Sequence, residues 1–195
     1  MGVWLNALDQ KLSIGINHFG APYLDSLMIV WSSKWVWLPL YALLLLWLFR
    51  RYPKKTFLLL VAGMAVTVTL ADQTASALFK PLFERLRPCH DPAISKLIRL
   101  PDGCGGFYGF ASSHAANTMA LAIFFTLLPL ETRSKGIWIC LLIWAVVSGW
   151  SRIYLGYHYV GDIVCGYAIG ALWASITQYS CRKMGVFREN PVNPA

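Results

Sequence analysis

Trp35-Val36-Trp37-Leu38-Pro39-Leu40-Tyr41-Ala42-Leu43-Leu44-Leu45-Leu46-Trp47-Leu48-Phe49-Arg50-Arg51-Tyr52-Pro53-Lys54-Lys55 is the stretch whose reading decides the fold. From Trp35 to Phe49 it carries no charge, and Arg50, Arg51, Lys54 and Lys55 follow at once. Taken with residues 23–34 it is long enough to cross a bilayer, whose hydrocarbon layer of about 30 Å needs about 20 helical residues. Ser32-Ser33-Lys34 interrupts the first half, so an irregular outer end is expected. The four bases mark the other end as cytoplasmic, because Lys and Arg collect in cytoplasmic loops.

Similar apolar runs cover residues 56–79, 113–129, 137–155 and 159–181. The bulk numbers agree: the 195 residues are 57% hydrophobic and 13% charged, with mean hydropathy +0.52. A soluble domain carries about 25% charged residues. The expected fold is all-α: an integral membrane helical bundle of about five transmembrane helices. It forms one domain over residues 1–181, with no internal repeat. The net charge of +8 is read as loop topology and not as a nucleic-acid surface, and no obligatory protein partner is implied.

Residues 3–20 place Trp4, Leu5, Leu8, Leu12, Ile16 and Phe19 at helical spacing, broken by Asn6, Asp9, Gln10 and Asn17. This predicts an amphipathic helix over residues 1–20 lying at the membrane interface. No secretory leader is expected, since the start lacks bases and Asp9 comes early. Residues 80–110 form a long polar loop, and 131–136 a short basic turn. Residues 182–195, opening with Arg182-Lys183, are a cytoplasmic tail expected to be disordered. With Arg50–Lys55 inside, alternation places the N-terminal helix, loop 80–110 and residues 152–158 together on the outer side.

That outer side carries three polar segments. In the first, Lys80 and Arg87 are seven residues apart, about two helical turns, so both can face one way; two cations suit a multi-oxygen anion. The bland alternative is a basic stretch against lipid head groups. In the second, Ser112-Ser113-His114 opens a span. A serine can cap the helix, and the free N–H groups of its first turn attract anions. His114 could protonate a leaving oxygen, or be a plain interfacial histidine. In the third, His158 and Asp162 are four apart and share a helical face. A carboxylate fixes the imidazole tautomer and prepares the other nitrogen as a nucleophile, with Arg152 upstream as a clamp. The alternative, a structural His–Asp cap, leaves unexplained why Arg, His and Asp gather where each is expensive.

Together these segments resemble the type 2 phosphatidic acid phosphatase superfamily, whose pattern is Lys-x6-Arg-Pro, Pro-Ser-Gly-His and Ser-Arg-x5-His-x3-Asp. The first and third match residue for residue. The second has Ala111 for Pro and Ser113 for Gly, which keeps the backbone amide but narrows its conformations. The resemblance implies that His158 attacks phosphorus, Asp162 orients it, and His114 protonates the leaving group. Lys80, Arg87, Arg152, Ser112 and Ser113 would hold the phosphoryl oxygens, with no metal or other cofactor. The implied substrate is a lipid phosphate in a bacterial inner membrane, met from the periplasmic side: undecaprenyl diphosphate, a lipid A phosphate, phosphatidic acid or phosphatidylglycerol phosphate. Phosphotransfer between lipids, or non-catalytic lipid-phosphate binding or transport, are the rival readings.

Several residues receive smaller roles. Asp72 and Ser76 lie on the face leading to Lys80, with Asp72 as a supporting partner. Asn117 is expected to bond between helices. Glu84 and Arg85 read as a rim pair. Cys140, Cys165 and Cys181 read as packing residues. Cys89 and Cys104 share the outer loop without metal-ligand spacing; in an oxidising compartment they could form a disulfide, the alternative being two free thiols.

Overall fold

The computed structural model describes residues 3–129 and 135–187. Among the described residues eight α-helices follow in order: α1 Val3–His18, α2 Pro22–Ser32, α3 Leu38–Arg51, α4 Lys54–Gln73, α5 Lys80–Phe83, α6 Ser113–Thr126, α7 Lys135–Tyr154 and α8 Val160–Lys183. The described residues include no β-strand, as the all-α expectation requires. The basic turn expected at 131–136 lies, for residues 131–134, outside the described residues. So does the expected disordered tail from residue 188 onward.

Three segments are long and apolar enough to cross a membrane: α4 continued through to Phe83, α7, and α8. Taken as one broken span, α2 and the helical stretch Lys34–Arg51 that contains α3, bent by 63° to each other, would add a fourth. The bend falls where Ser32-Ser33-Lys34 breaks the apolar run, with Ser33 extended at φ −75°, ψ 125°. The remaining expected span, α6, has 14 residues. At 1.5 Å per residue it reaches only about 21 Å. It is sheltered by α4, α7 and α8, with Ala116, Ala120, Phe124 and Phe125 fully buried, so it need not match the lipid thickness.

Small residues set how closely α6 approaches α8. A Cβ on Gly166 would stand 2.5 Å from the Ser112 carbonyl oxygen, and one on Gly170 would strike the Ala116 carbonyl. This is the small-residue packing that lets membrane helices touch backbone to backbone. It brings the first turns of both helices side by side. At the opposite end, Leu48, Leu60, Phe124, Phe125, Trp138 and Trp144 build the large apolar core.

α1 is present as expected, yet it docks by its polar side. Asp9, Ser13 and Asn17 are buried, while Trp4, Leu5, Leu8 and Leu12 are exposed. Asn17 shows why: its Nδ2 donates to the carbonyls of Tyr154 at 2.8 Å and Arg99 at 2.9 Å, and its Oδ1 accepts from Arg99 N–H at 2.8 Å. The residues that break the apolar pattern are the ones that hold the helix to the protein.

Candidate active site

The first polar segment is not one helix. α4 passes through a π-helical turn, Thr74–Phe79, into α5, which stops at Glu84 in the left-handed region at φ 44°, ψ 27°. Beyond it the chain pairs with residues 107–109. Leu86 bridges Tyr108, Gly109 N–H donates to Arg85 O at 2.9 Å, and Arg87 N–H donates to Phe107 O at 2.9 Å. Alternate residues of an extended segment share a side, so Arg85 and Arg87 project together. The helical spacing expected for Lys80 and Arg87 is thus replaced by a turn and a bridge. The two still meet: Lys80 lies within charge-interaction range of Arg87, Arg152, Asp72 and Asp162. Asp72 accepts from Asn117 Nδ2 at 2.9 Å, joining α4 to α6.

The loop before α8 delivers the nucleophile candidate. His158 Nδ1 lies 3.3 Å from Asp162 Oδ2, with side-chain exposures of 3% and 0%. A carboxylate only accepts, so Nδ1 carries the hydrogen and Nε2 keeps its lone pair. The same Oδ2 accepts Tyr159 N–H at 3.0 Å. Burial pushes His158 down to about 4, against the opposing pull of Asp162; the Arg87 and Arg152 charges act in the same direction as burial. Gly109 sits beside this pair: a Cβ there would stand 2.9 Å from Asp162 Oδ2 and 3.5 Å from His158 Nδ1.

Ser112 caps α6, its Oγ accepting Ala115 N–H at 3.4 Å. Ser112 N–H donates to the Asp162 carbonyl at 3.1 Å, which fastens the start of α6 to the first turn of α8. Ser113 and His114 are the first residues of α6, where N–H groups lack intrahelical acceptors. His114 lies within charge-interaction range of His158 and Arg152. The Arg152 guanidinium stacks 4.1 Å over the Tyr157 ring and donates through NH1 to Ser32 Oγ at the α2–α3 bend. His114 Nε2 and Arg152 Nε are buried without a hydrogen-bond partner among the described residues. Beside His114 opens a cavity of about 380 Å³ whose lining includes Tyr41, Leu44, Met64, Val68, Leu121 and Trp144.

Two features depart from expectation or resolve an open choice. Arg85 is no rim partner of Glu84. It donates to Asp162 Oδ1 at 2.8 Å and to Asp9 Oδ2 at 2.7 Å. Nothing in its spacing separated it from a solvated base, because its partners lie 76 and 77 residues away. Cys89 and Cys104 are joined as a disulfide, with Cα atoms 6.1 Å apart. They and His90 place ligand-type atoms within 4.8 Å of one another, but the bridge takes up both sulfurs.

Residues 56–184 match the family model described as the PAP2 superfamily. The chain belongs to that family. Among its PAP2 relatives is a lipid A 4'-phosphatase of Bacteroides thetaiotaomicron, 34% identical across 93% of this chain and 80% of that protein. A lipid A 4'-phosphatase of Porphyromonas gingivalis is also 34% identical, across 85% and 69%. An undecaprenyl-diphosphatase of Sulfolobus acidocaldarius is 28% identical across 97% and 89%. The fold is shared with the transmembrane PAP2 phosphatidylglycerolphosphate phosphatase of Bacillus subtilis. That structure aligns with TM-score 0.70 and 24% identity, covering 96% of this chain and 90% of the other.

Proposed function

We propose that this PAP2 member is a lipid phosphatase that removes a phosphate monoester from a lipid A-type amphiphile through a phosphohistidine on His158. One observation carries the reading. His114 and Arg152, each with a buried nitrogen unpartnered among the described residues, and Arg87 lie within charge-interaction range of an imidazole whose Nδ1 is already committed to Asp162, and Lys80 lies within that range of Arg87, Arg152 and Asp162. That arrangement suits a phosphoryl group with oxygens on the cations and phosphorus facing His158 Nε2.

The chemistry balances without further reagents. The Nε2 lone pair attacks phosphorus and forms a P–N bond as the P–O bond to the lipid breaks. Protonated His114 gives its proton to the departing oxygen. Water then attacks phosphorus, His114 takes one of its protons, and the P–N bond breaks to release phosphate and restore both imidazoles. Lys80, Arg87, Arg152 and the Ser113 amide stabilise the equatorial oxygens, the dominant contribution in phosphoryl transfer. The cavity beside His114 suits the apolar part of the substrate.

Lipid A phosphate is preferred because two relatives at 34% identity bear that activity in their names. Undecaprenyl diphosphate is the second reading, supported by the archaeal relative that spans nearly the whole chain. On this reading the site faces the periplasm from a bacterial inner membrane. Support comes from the bases at Arg50–Lys55 and from a disulfide in the loop nearest the site, a bond suited to an oxidising compartment. The test is phosphate release from lipid A, undecaprenyl diphosphate, phosphatidic acid and phosphatidylglycerol phosphate in detergent. Lipid A should turn over fastest; a faster rate on undecaprenyl diphosphate would overturn that preference.

A further inference from the structure

We infer that Arg85 and Asp9 are positioning residues for Asp162, so that α1 is a working part of the site; this rests on the phosphatase reading above. Asp162 is completely enclosed, with 0% side-chain exposure. A buried carboxylate is driven to take up a proton unless positive charge or several donors hold it ionised. Its Oδ2 is occupied by His158 Nδ1–H and Tyr159 N–H. Both are neutral donors, and among the described residues Oδ1 is bonded by Arg85 alone, at 2.8 Å. Arg85 is the charged donor bonded directly to this acid, and it fixes which oxygen faces His158.

Arg85 is itself held in place. Its NH2 donates to Asp9 Oδ2 at 2.7 Å and to Asn6 Oδ1 at 3.3 Å, and its guanidinium lies 4.1 Å over the Tyr159 ring. Asp9 is anchored in turn. Its Oδ1 accepts Gly161 N–H at 2.9 Å, and carboxylates are favoured at a helix N-terminus. Ser13 adds a second tie, accepting Val160 N–H at 3.0 Å. The side chains run Asp9–Arg85–Asp162–His158, from α1 to the nucleophile.

This separates Arg85 from the other bases of the site. Lys80, Arg87 and Arg152 have capacity left for a phosphate, whereas the Arg85 fork is spent on two carboxylates. A planar fork that bridges two acids is what Arg supplies and Lys does not. Arg85 therefore acts on the rate through Asp162 and His158, and does not hold the substrate.

The experiment uses the full chain in detergent and measures kcat, KM and Tm for Arg85→Gln, Arg85→Lys and Asp9→Asn. Misplacing a catalytic group by about 1 Å can cost about 100-fold. Arg85→Gln should therefore lower kcat by about that factor while KM moves less than about threefold. Arg85→Lys should recover part of the loss, and Asp9→Asn should lose about tenfold. In an Asp162→Asn background, Arg85→Gln should cost little more, because coupled residues are not additive. Wild-type kcat in Arg85→Gln, a loss carried by KM, or a full additional loss on top of Asp162→Asn would each overturn the inference. Should Arg85→Gln lower Tm too far to assay, Arg85→Lys and Asp9→Asn decide on the same criteria. His158→Ala is run alongside: activity persisting there removes the phosphatase mechanism itself and this inference with it. Loss in His158→Ala with none in Arg85→Gln removes only the inference.

Discussion

Ser112 and Asp162 are tied main chain to main chain, the Ser112 N–H donating to the Asp162 carbonyl at 3.1 Å. One residue caps the helix that begins with His114's turn; the other carries the carboxylate that orients His158. The bond therefore joins the proposed acid and the proposed nucleophile through rigid helix starts. The tight α6–α8 contact holds it in place.

Two glycine substitutions should change stability in opposite directions. Gly170→Val would drive a side chain into the Ala116 carbonyl and the Ala120 nitrogen. Overpacking of this kind costs about 1–3 kcal/mol and should also spoil the site by separating the helix starts. Gly15 lies in α1 with nothing within 4 Å of its would-be Cβ. Gly15→Ala should stabilise by about 0.5–1 kcal/mol through helix propensity. Thermal unfolding in detergent, read beside phosphate release, checks both.

The sequence made the helical bundle and most residues of the candidate site legible, because charges and histidines at the edges of apolar runs are costly unless they pair or bind a ligand. The short-spaced His158–Asp162 contact forms as expected, although His158 lies just before α8 and not on its face, and of the two serines offered as a cap it is Ser112 that caps α6. What could not be read was set by distant partners. The polar face of α1 looked like an interruption of an amphipathic pattern, since Asn17's partners are 82 and 137 residues away. Arg85 looked like a rim charge for the same reason. Lys80 and Arg87 were expected on one helical face, whereas a turn and a bridge separate them. A left-handed residue at Glu84 has no side-chain signal to announce it.

The pH dependence follows from His158, which faces Asp162, Arg87, Arg152 and His114. Burial holds its folded value near 4, below the ordinary value of about 6.5. The unfolded chain therefore takes up the proton first. This contribution to stability is fully present above about pH 6.5 and is lost as pH falls toward about 4. Comparing Tm against pH for wild type and His158→Asn should show the wild type losing more over that window and none of the excess above it. Equal slopes would contradict the buried neutral imidazole.

The Cys89–Cys104 bridge closes a loop with a sequence separation of 15. A closed loop of about that length contributes about 3 kcal/mol. The loop also leads into residues 107–109, which pair with Arg85–Arg87. The Cys89→Ser/Cys104→Ser variant should therefore show a lower Tm and a lower kcat/KM, and dithiothreitol should reproduce both in the wild type. A wild type indifferent to dithiothreitol would argue against the bridge.

In the proposed mechanism Lys80, Arg87 and Arg152 supply the positive charge that phosphoryl transfer needs. Phosphate release should therefore survive EDTA with little change in rate. Loss of activity in EDTA, restored by a divalent cation, would show that these side chains are insufficient.

The most direct measurement is a rapid acid-free quench of the enzyme turning over a ³²P-labelled lipid phosphate, followed by peptide mapping. The account predicts an acid-labile, base-stable label on His158 that is absent in His158→Ala and builds up when His114→Ala is given a substrate with an easily departing group. A label on any other residue, or phosphate release at the wild-type rate in His158→Ala, would contradict it.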